Sequence, residues 1–157
     1  MKSSPDEPIM KRRPIVPLSF VMFWVLQSGV PMDARSCAVR EPRDAEFRSS
    51  AAVFSGRVKS LRAVRGHGGP SDLQTIATFD VERWWKGGRG RTAEVHSCGG
   101  SDGVNAVACT VGFTFDVGVR YLVFAYGRPL ETSNCQRTGT LEESADTVEW
   151  LNTIKPK

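Results

Sequence analysis

Four cysteines, Cys37, Cys98, Cys109 and Cys135, all lie downstream of a segment with the three-part order of an export signal. Lys11-Arg12-Arg13 supplies a positive cluster, Leu18 to Leu26 an almost wholly apolar core, and Gln27 to Ser36 a polar stretch that ends at the first cysteine. An apolar core of about nine residues falls short of the roughly 20 that span a bilayer. Residues 1–36 therefore read as a secretory signal peptide rather than an anchor, and no stable membrane insertion is expected after its cleavage. Met10 stands directly before the basic cluster and makes a better-formed start than Met1, so translation is expected to begin there. Small residues at Ala34 and Ser36 suit cleavage after Ser36, which leaves Cys37 at the mature N-terminus; cleavage after Ala34 is the alternative.

Export gives the cysteines their meaning. An even number in an exported chain with about 120 residues left favours two disulfides, which would staple one modest core at residues 37–157. A zinc site is the weaker reading, because no Cys-x-x-Cys pair occurs and the two histidines, His67 and His96, are far apart. No metal or cofactor of its own is expected.

The formal charge of +4 is front-loaded. Lys2, Lys11, Arg12, Arg13 and Arg35 precede Cys37, against Asp6, Glu7 and Asp33, which leaves 16 basic and 14 acidic residues in the body. Counted this way the body carries no footprint for a polyanion, and no nucleic-acid partner is expected.

Along the body, Asp44 is placed to cap a short helix between Glu41 and Ser50. Ala52 to Leu61 reads as a half-buried strand that alternates from Phe54 onward, with Gly56 where a curved strand would bend. Gln74 to Trp85 and Thr92 to Ser97 come next as strands, separated by glycine-rich breaks, and Gly99 to Gly103 reads as a loop. Arg120 to Tyr126 is the most apolar run and is expected at the centre of the sheet; Leu130 to Asn134 is a short fifth strand. Leu141, Ala145, Val148 and Leu151 then recur at helical spacing behind a Thr140–Glu143 capping box. The expected fold is all-β: a five-stranded, OB-fold-like Greek-key barrel with a short N-terminal helix and a C-terminal helix.

Four segments, Val53-Phe54-Ser55-Gly56-Arg57-Val58, Phe79 to Gly87, Gly118 to Ala125 and Thr132 to Thr138, resemble the netrin-like domain family. Within it they are similar to the bacterial proteins that resemble tissue inhibitors of metalloproteinases, and the resemblance covers Cys37 to Ile154. It implies an OB barrel whose N-terminal segment is pinned by disulfides, with a zinc metalloendopeptidase as partner and Cys37, Ala38, Val39 and Cys109 as the partner-binding residues. In the animal inhibitors a mature Cys-x-Cys N-terminus chelates the protease's zinc through the first cysteine's amine and carbonyl, displacing the attacking water.

This chain has one cysteine where that pattern has two. If Cys37 is the second, Arg35 replaces the first; if it is the first, Val39 replaces the second, and Cys37 can chelate a partner's zinc only as the mature N-terminus. The stretch Cys37-Ala38-Val39-Arg40-Glu41-Pro42 resembles the family's segment that begins at the second cysteine. By the resemblance, Cys135 is then the partner of Cys37, and Cys109 is left to pair with Cys98. The rival is Cys37 with Cys109 and Cys98 with Cys135.

Constellations that could suggest an enzyme have plainer readings. Asp80 and Glu82 read as surface carboxylates, and Ser55 and Ser133 lack His and Asp partners at a recognisable spacing. Trp84-Trp85 reads as packing, one ring in the barrel and one against the terminal helix, rather than a stacking platform for bases. No catalytic residue is expected. The expectation is a secreted or periplasmic binding protein, inhibitory by resemblance, with a non-inhibitory structural or adhesion module of the cell envelope as the alternative.

Overall fold

The computed structural model describes residues 37, 40–66 and 72–154. The expected leader, Ala38, Val39 and His67 lie outside the described residues. In chain order the elements are α1 (Arg43–Ser49), β1 (Ala52–Arg65), β2 (Leu73–Lys86), β3 (Thr92–Cys98), β4 (Gly100–Ser101), β5 (Ala106–Val107), β6 (Arg120–Ala125), β7 (Glu131–Thr132), β8 (Gly139–Thr140) and α2 (Ala145–Thr153).

Six strands make one sheet in the order β7-β3-β2-β1-β6-β8, and β4 pairs with β5 in a separate hairpin. Neighbours are antiparallel except β3 and β7, where His96 faces Glu131 and Ser97 faces Thr132 in parallel. The sheet curls into a half-barrel. Its ends approach through β7, because Tyr126, just past β6, exchanges both backbone hydrogen bonds with Glu131 at 2.8 and 2.9 Å.

The protein is mostly β, as expected, but the strand inventory differs. The expected fifth strand shrinks to Glu131–Thr132, while β8 and the β4–β5 hairpin are additional. Two-residue ladders are too short to write an alternating pattern, so periodicity cannot reveal them. Part of the expected Gly99–Gly103 loop is accordingly β4. The middle of the sheet is β1–β2, not β6. β6 is continuously apolar because both of its faces are covered. Tyr121, Val123 and Ala125 join the inner cluster, and Leu122 and Phe124 the outer one.

The inner core is aromatic. Phe54, Phe79, Phe115 and Tyr121 meet edge to face in a chain with centroids 5.1–5.3 Å apart. The outer cluster packs Val53, Leu122 and Phe124 under Leu151 of α2, with Phe47 of α1 and Trp85 at its margin. Glu82 is the extra residue of a bulge, since Ser55 faces Arg83 but Gly56 faces Val81. That bulge reverses the alternation of β2, so Trp84, which strict alternation would put on the face of Ile76 and Asp80, joins Phe79 and Val81 inside. Its ring centroid lies 4.8 Å from that of Phe54. Gly56 sits at the bend with no room to spare: a Cβ there would lie 2.8 Å from the Asp80 carbonyl oxygen.

The helix starts also differ from expectation. Pro42 holds the N-cap of α1 without a side-chain cap bond, and Asp44 sits in the first turn, paired with Arg48 at 2.6 Å. Thr140 and Glu143 do bond, Thr140 Oγ1 donating to Glu143 Oε2 at 2.8 Å, but the pair closes a turn before α2, whose N-cap is Ser144. Thr140 is held in β8 opposite Tyr121, which moves the helix start downstream.

Candidate functional site

Two disulfides, Cys37–Cys135 and Cys98–Cys109, bound one ridge of the domain, with Cα–Cα distances of 5.4 and 5.7 Å. These are the pairs that the resemblance implies. Cys135 rides a tight turn in which Ser133 N donates to Gln136 Oε1 at 2.7 Å and Cys135 N to Ser133 Oγ at 3.2 Å.

Asn134, in the same turn, reaches across to the loop after Cys109. Its backbone N–H donates to Val111 O and its side-chain amide to Thr110 O, both at 3.0 Å. Gly112 completes the seam by bridging to Ser133. A side chain at Gly112 is excluded, since a Cβ there would sit 2.2 Å from the Cys98 carbonyl oxygen. The structure thus brings Cys37 and Cys109, 72 positions apart in the chain, into one continuous ridge. Ala38 and Val39 lie outside the described residues.

The short disulfide also closes off the β4–β5 hairpin, which projects from the end of β3. Asp102 organises its tip: Oδ1 accepts from Val104 N at 3.0 Å and Asn105 N at 2.7 Å, and Oδ2 from Arg65 Nη2 at 2.9 Å. The backbone bond from Asn105 and the Arg65 guanidinium hold this carboxyl far below the usual carboxylate range. Val104, at the tip, is 89% exposed. Sequence reading overlooked Val104, although Asp-Gly-Val-Asn carries turn chemistry that puts its third residue at an apex.

Behind Cys135 lies a second feature missed from sequence. Glu46 of α1 is buried, and it accepts a hydrogen bond from Arg137 N at 2.6 Å while its other oxygen meets Arg137 Nε as an ion pair at 3.0 Å. Arg137 Nη2 donates to Glu41 O at 2.7 Å. Burial raises the Glu46 carboxyl above its ordinary pKa, and Arg137 opposes that shift. The pair fastens α1, and the segment leading into it, two residues past the disulfide.

The remaining polar residues are placed as surface or packing groups. Asp80 pairs with Lys59 at 3.6 Å, and Glu82 receives a forked bond from Arg120 with distances of 2.6–3.1 Å; both carboxylates are exposed. Ser55 is buried in β1. His96 Nδ1 lies 3.3 Å from Gln74 Oε1 on the outer part of β3. Among the described residues no three His, Cys, Asp or Glu side chains converge, and no helix is long and apolar enough to cross a membrane. Trp85 packs toward α2 and donates its indole N–H to Asn152 Oδ1 at 3.2 Å.

No protein-family model matches the chain, and a search of curated proteins finds no match.

Proposed function

We propose that the chain is an exported, non-enzymatic binding protein of OB fold that offers the Cys37–Cys135 and Cys98–Cys109 ridge to a protein partner, a zinc metalloendopeptidase. The observation that carries this reading is the seam at Asn134, which joins the two disulfide-bonded segments into one rigid surface. A preordered surface loses little conformational entropy on binding, which is what a tight protein-binding edge requires. The strand ring supports the OB assignment: β1, β2, β3, β7 and β6 succeed one another round the curl, with the sole parallel contact of the sheet at β3–β7. Two disulfides suit an oxidising, extracytoplasmic location, secreted or periplasmic.

On this reading the Cys37 end approaches the protease's metal. Where Cys37 is the mature N-terminus, its neutral amine and carbonyl form a five-membered chelate on the partner's zinc and exclude water. Where Arg35-Ser36 remain in front, the ridge binds without chelation. Intact-mass measurement and N-terminal sequencing of the exported protein separate these forms. Titration against a panel of zinc endopeptidases then tests the function. Inhibition at or below micromolar concentration is the expected result. A verified free N-terminus with no inhibition of any of them removes the inhibitor reading and leaves a non-inhibitory module of the cell envelope.

A further inference from the structure

At the opposite end of β2 from the ridge, a cleft of about 710 Å³ opens between α1 and the loop that leaves β2. Four cations line it, Arg48, Arg83, Lys86 and Arg89, together with the rings of Phe47 and Trp85, and among the described residues no carboxylate does. The near-balance of charge along the whole body hides this local excess. Two of the cations are already engaged: Arg48 pairs with Asp44, and Lys86 Nζ donates to the carbonyls of Phe47 and Arg48 at 2.8 and 2.7 Å. Arg83 and Arg89 are exposed and have no carboxylate partner among the described residues. The Arg83 guanidinium is laid over the Trp85 ring, 5.0 Å from its centroid. Trp85 is held in turn by Asn152.

A guanidinium stacked on a fixed indole has its fork preordered, and without an internal carboxylate that fork is free for an external oxyanion. Arg89 supplies a second such group in the same cleft. We infer that this cleft binds an acidic glycan, with a carboxylate or sulfate group of the sugar on Arg83 and a second on Arg89. The choice of a glycan over nucleic acid rests on the export reading of the proposed function. The cleft shares no lining residue with the disulfide ridge, although α1 supplies Phe47 and Arg48 to the one and is fastened through Glu46 beside the other.

The test uses the exported protein with its disulfides intact, in about 0.15 M salt so that diffuse surface attraction is screened. Surfaces of heparin and polygalacturonate present sulfate and carboxylate, dextran is the uncharged control, and single-stranded DNA is the competing polyanion. Expected are binding to at least one of the two acidic glycans, none to dextran, and a change in tryptophan emission. Arg83→Gln and Arg89→Gln should each weaken binding about tenfold or more, the usual scale for a charge-assisted bond, whereas Arg62→Gln, at an exposed arginine away from the cleft, should change it less than about twofold. Indifference to both glycans, equal losses for Arg83→Gln and Arg62→Gln, or tighter binding to DNA than to either glycan overturns the proposal. A failure of protease inhibition does not bear on it.

Discussion

The side-chain amide of Asn134 donates to the backbone carbonyl of Thr110 at 3.0 Å, and so ties the turn that carries Cys135 to the loop just past Cys109. This bond is neutral and exposed, and a parallel backbone bond from Asn134 N to Val111 O remains when the side chain is removed. Asn134→Ala should therefore cost only about 1 kcal/mol in thermal stability. Amide exchange around Val111 and Gly112 should rise more than in the core strands. Uniform exchange across the sheet would show that the seam is not an independent element.

The two disulfides should separate in their effects. Deleting Cys37 and Cys135 together frees a loop of 98 positions and should cost about 4–5 kcal/mol, whereas deleting Cys98 and Cys109 frees 11 positions and should cost about 3 kcal/mol. Denaturant melts of the two double variants give the comparison, and peptide mapping of the non-reduced protein checks the pairing. The short-bridge variant should keep its aromatic core, since none of the inner cluster residues lies between Cys98 and Cys109.

Arg137→Ala leaves the Glu46 carboxyl buried without its cation. The loss at neutral pH should be about 2–3 kcal/mol, below the full cost of an unpaired buried charge because Arg137 keeps 21% of its side chain in solvent. The pH dependence has a definite sign. The folded pKa of Glu46 is raised, so its contribution is fully present below the unfolded carboxylate pKa and is lost as pH rises through the folded value. As pH rises above the ordinary carboxylate pKa of about 4, the wild type should lose stability relative to Glu46→Gln, and the Arg137→Ala defect should shrink toward the acid end. Parallel melting-temperature profiles would contradict this.

Asp102 should behave in the opposite sense. Its folded pKa is lowered, so its contribution is present above the unfolded carboxylate pKa and is lost as pH falls through the folded value. Asp102→Asn should loosen the hairpin tip at neutral pH, with faster exchange at the Val104 and Asn105 amides, while the difference from wild type disappears in strong acid. Hydrogen exchange resolved at those amides is the measurement, because the group is solvent-exposed and global melting would respond weakly.

Gly56→Ala places a methyl group 2.8 Å from the Asp80 carbonyl oxygen, a contact that only a backbone shift can relieve. The cost should be about 1–3 kcal/mol, in the range of other overpacked sites, and it should appear as a lowered denaturation midpoint with an unchanged slope.

Local patterning made much of the fold legible in the chain itself. Alternation and β-branched content marked β1, β2 and β3, a continuous apolar run marked β6, and a change of period marked α2, because long elements repeat their signal several times over. The turn chemistry around Gly99 to Gly103 was equally plain, though not the two-residue ladder inside it. The four cysteines limited the connectivity to few alternatives. Tertiary structure alone decided the rest. The Glu82 bulge turns Trp84 inward, which strict alternation cannot anticipate, and β7 and β8 exist only because the curled sheet offers them a partner. Glu46 and Arg137 lie 91 positions apart and look like ordinary surface charges until α1 is laid beside the Cys135 turn. The same holds for the ridge and the cationic cleft. Each gathers residues from distant segments, and a linear sequence carries the propensity of each segment but not the long-range packing that sets one beside another.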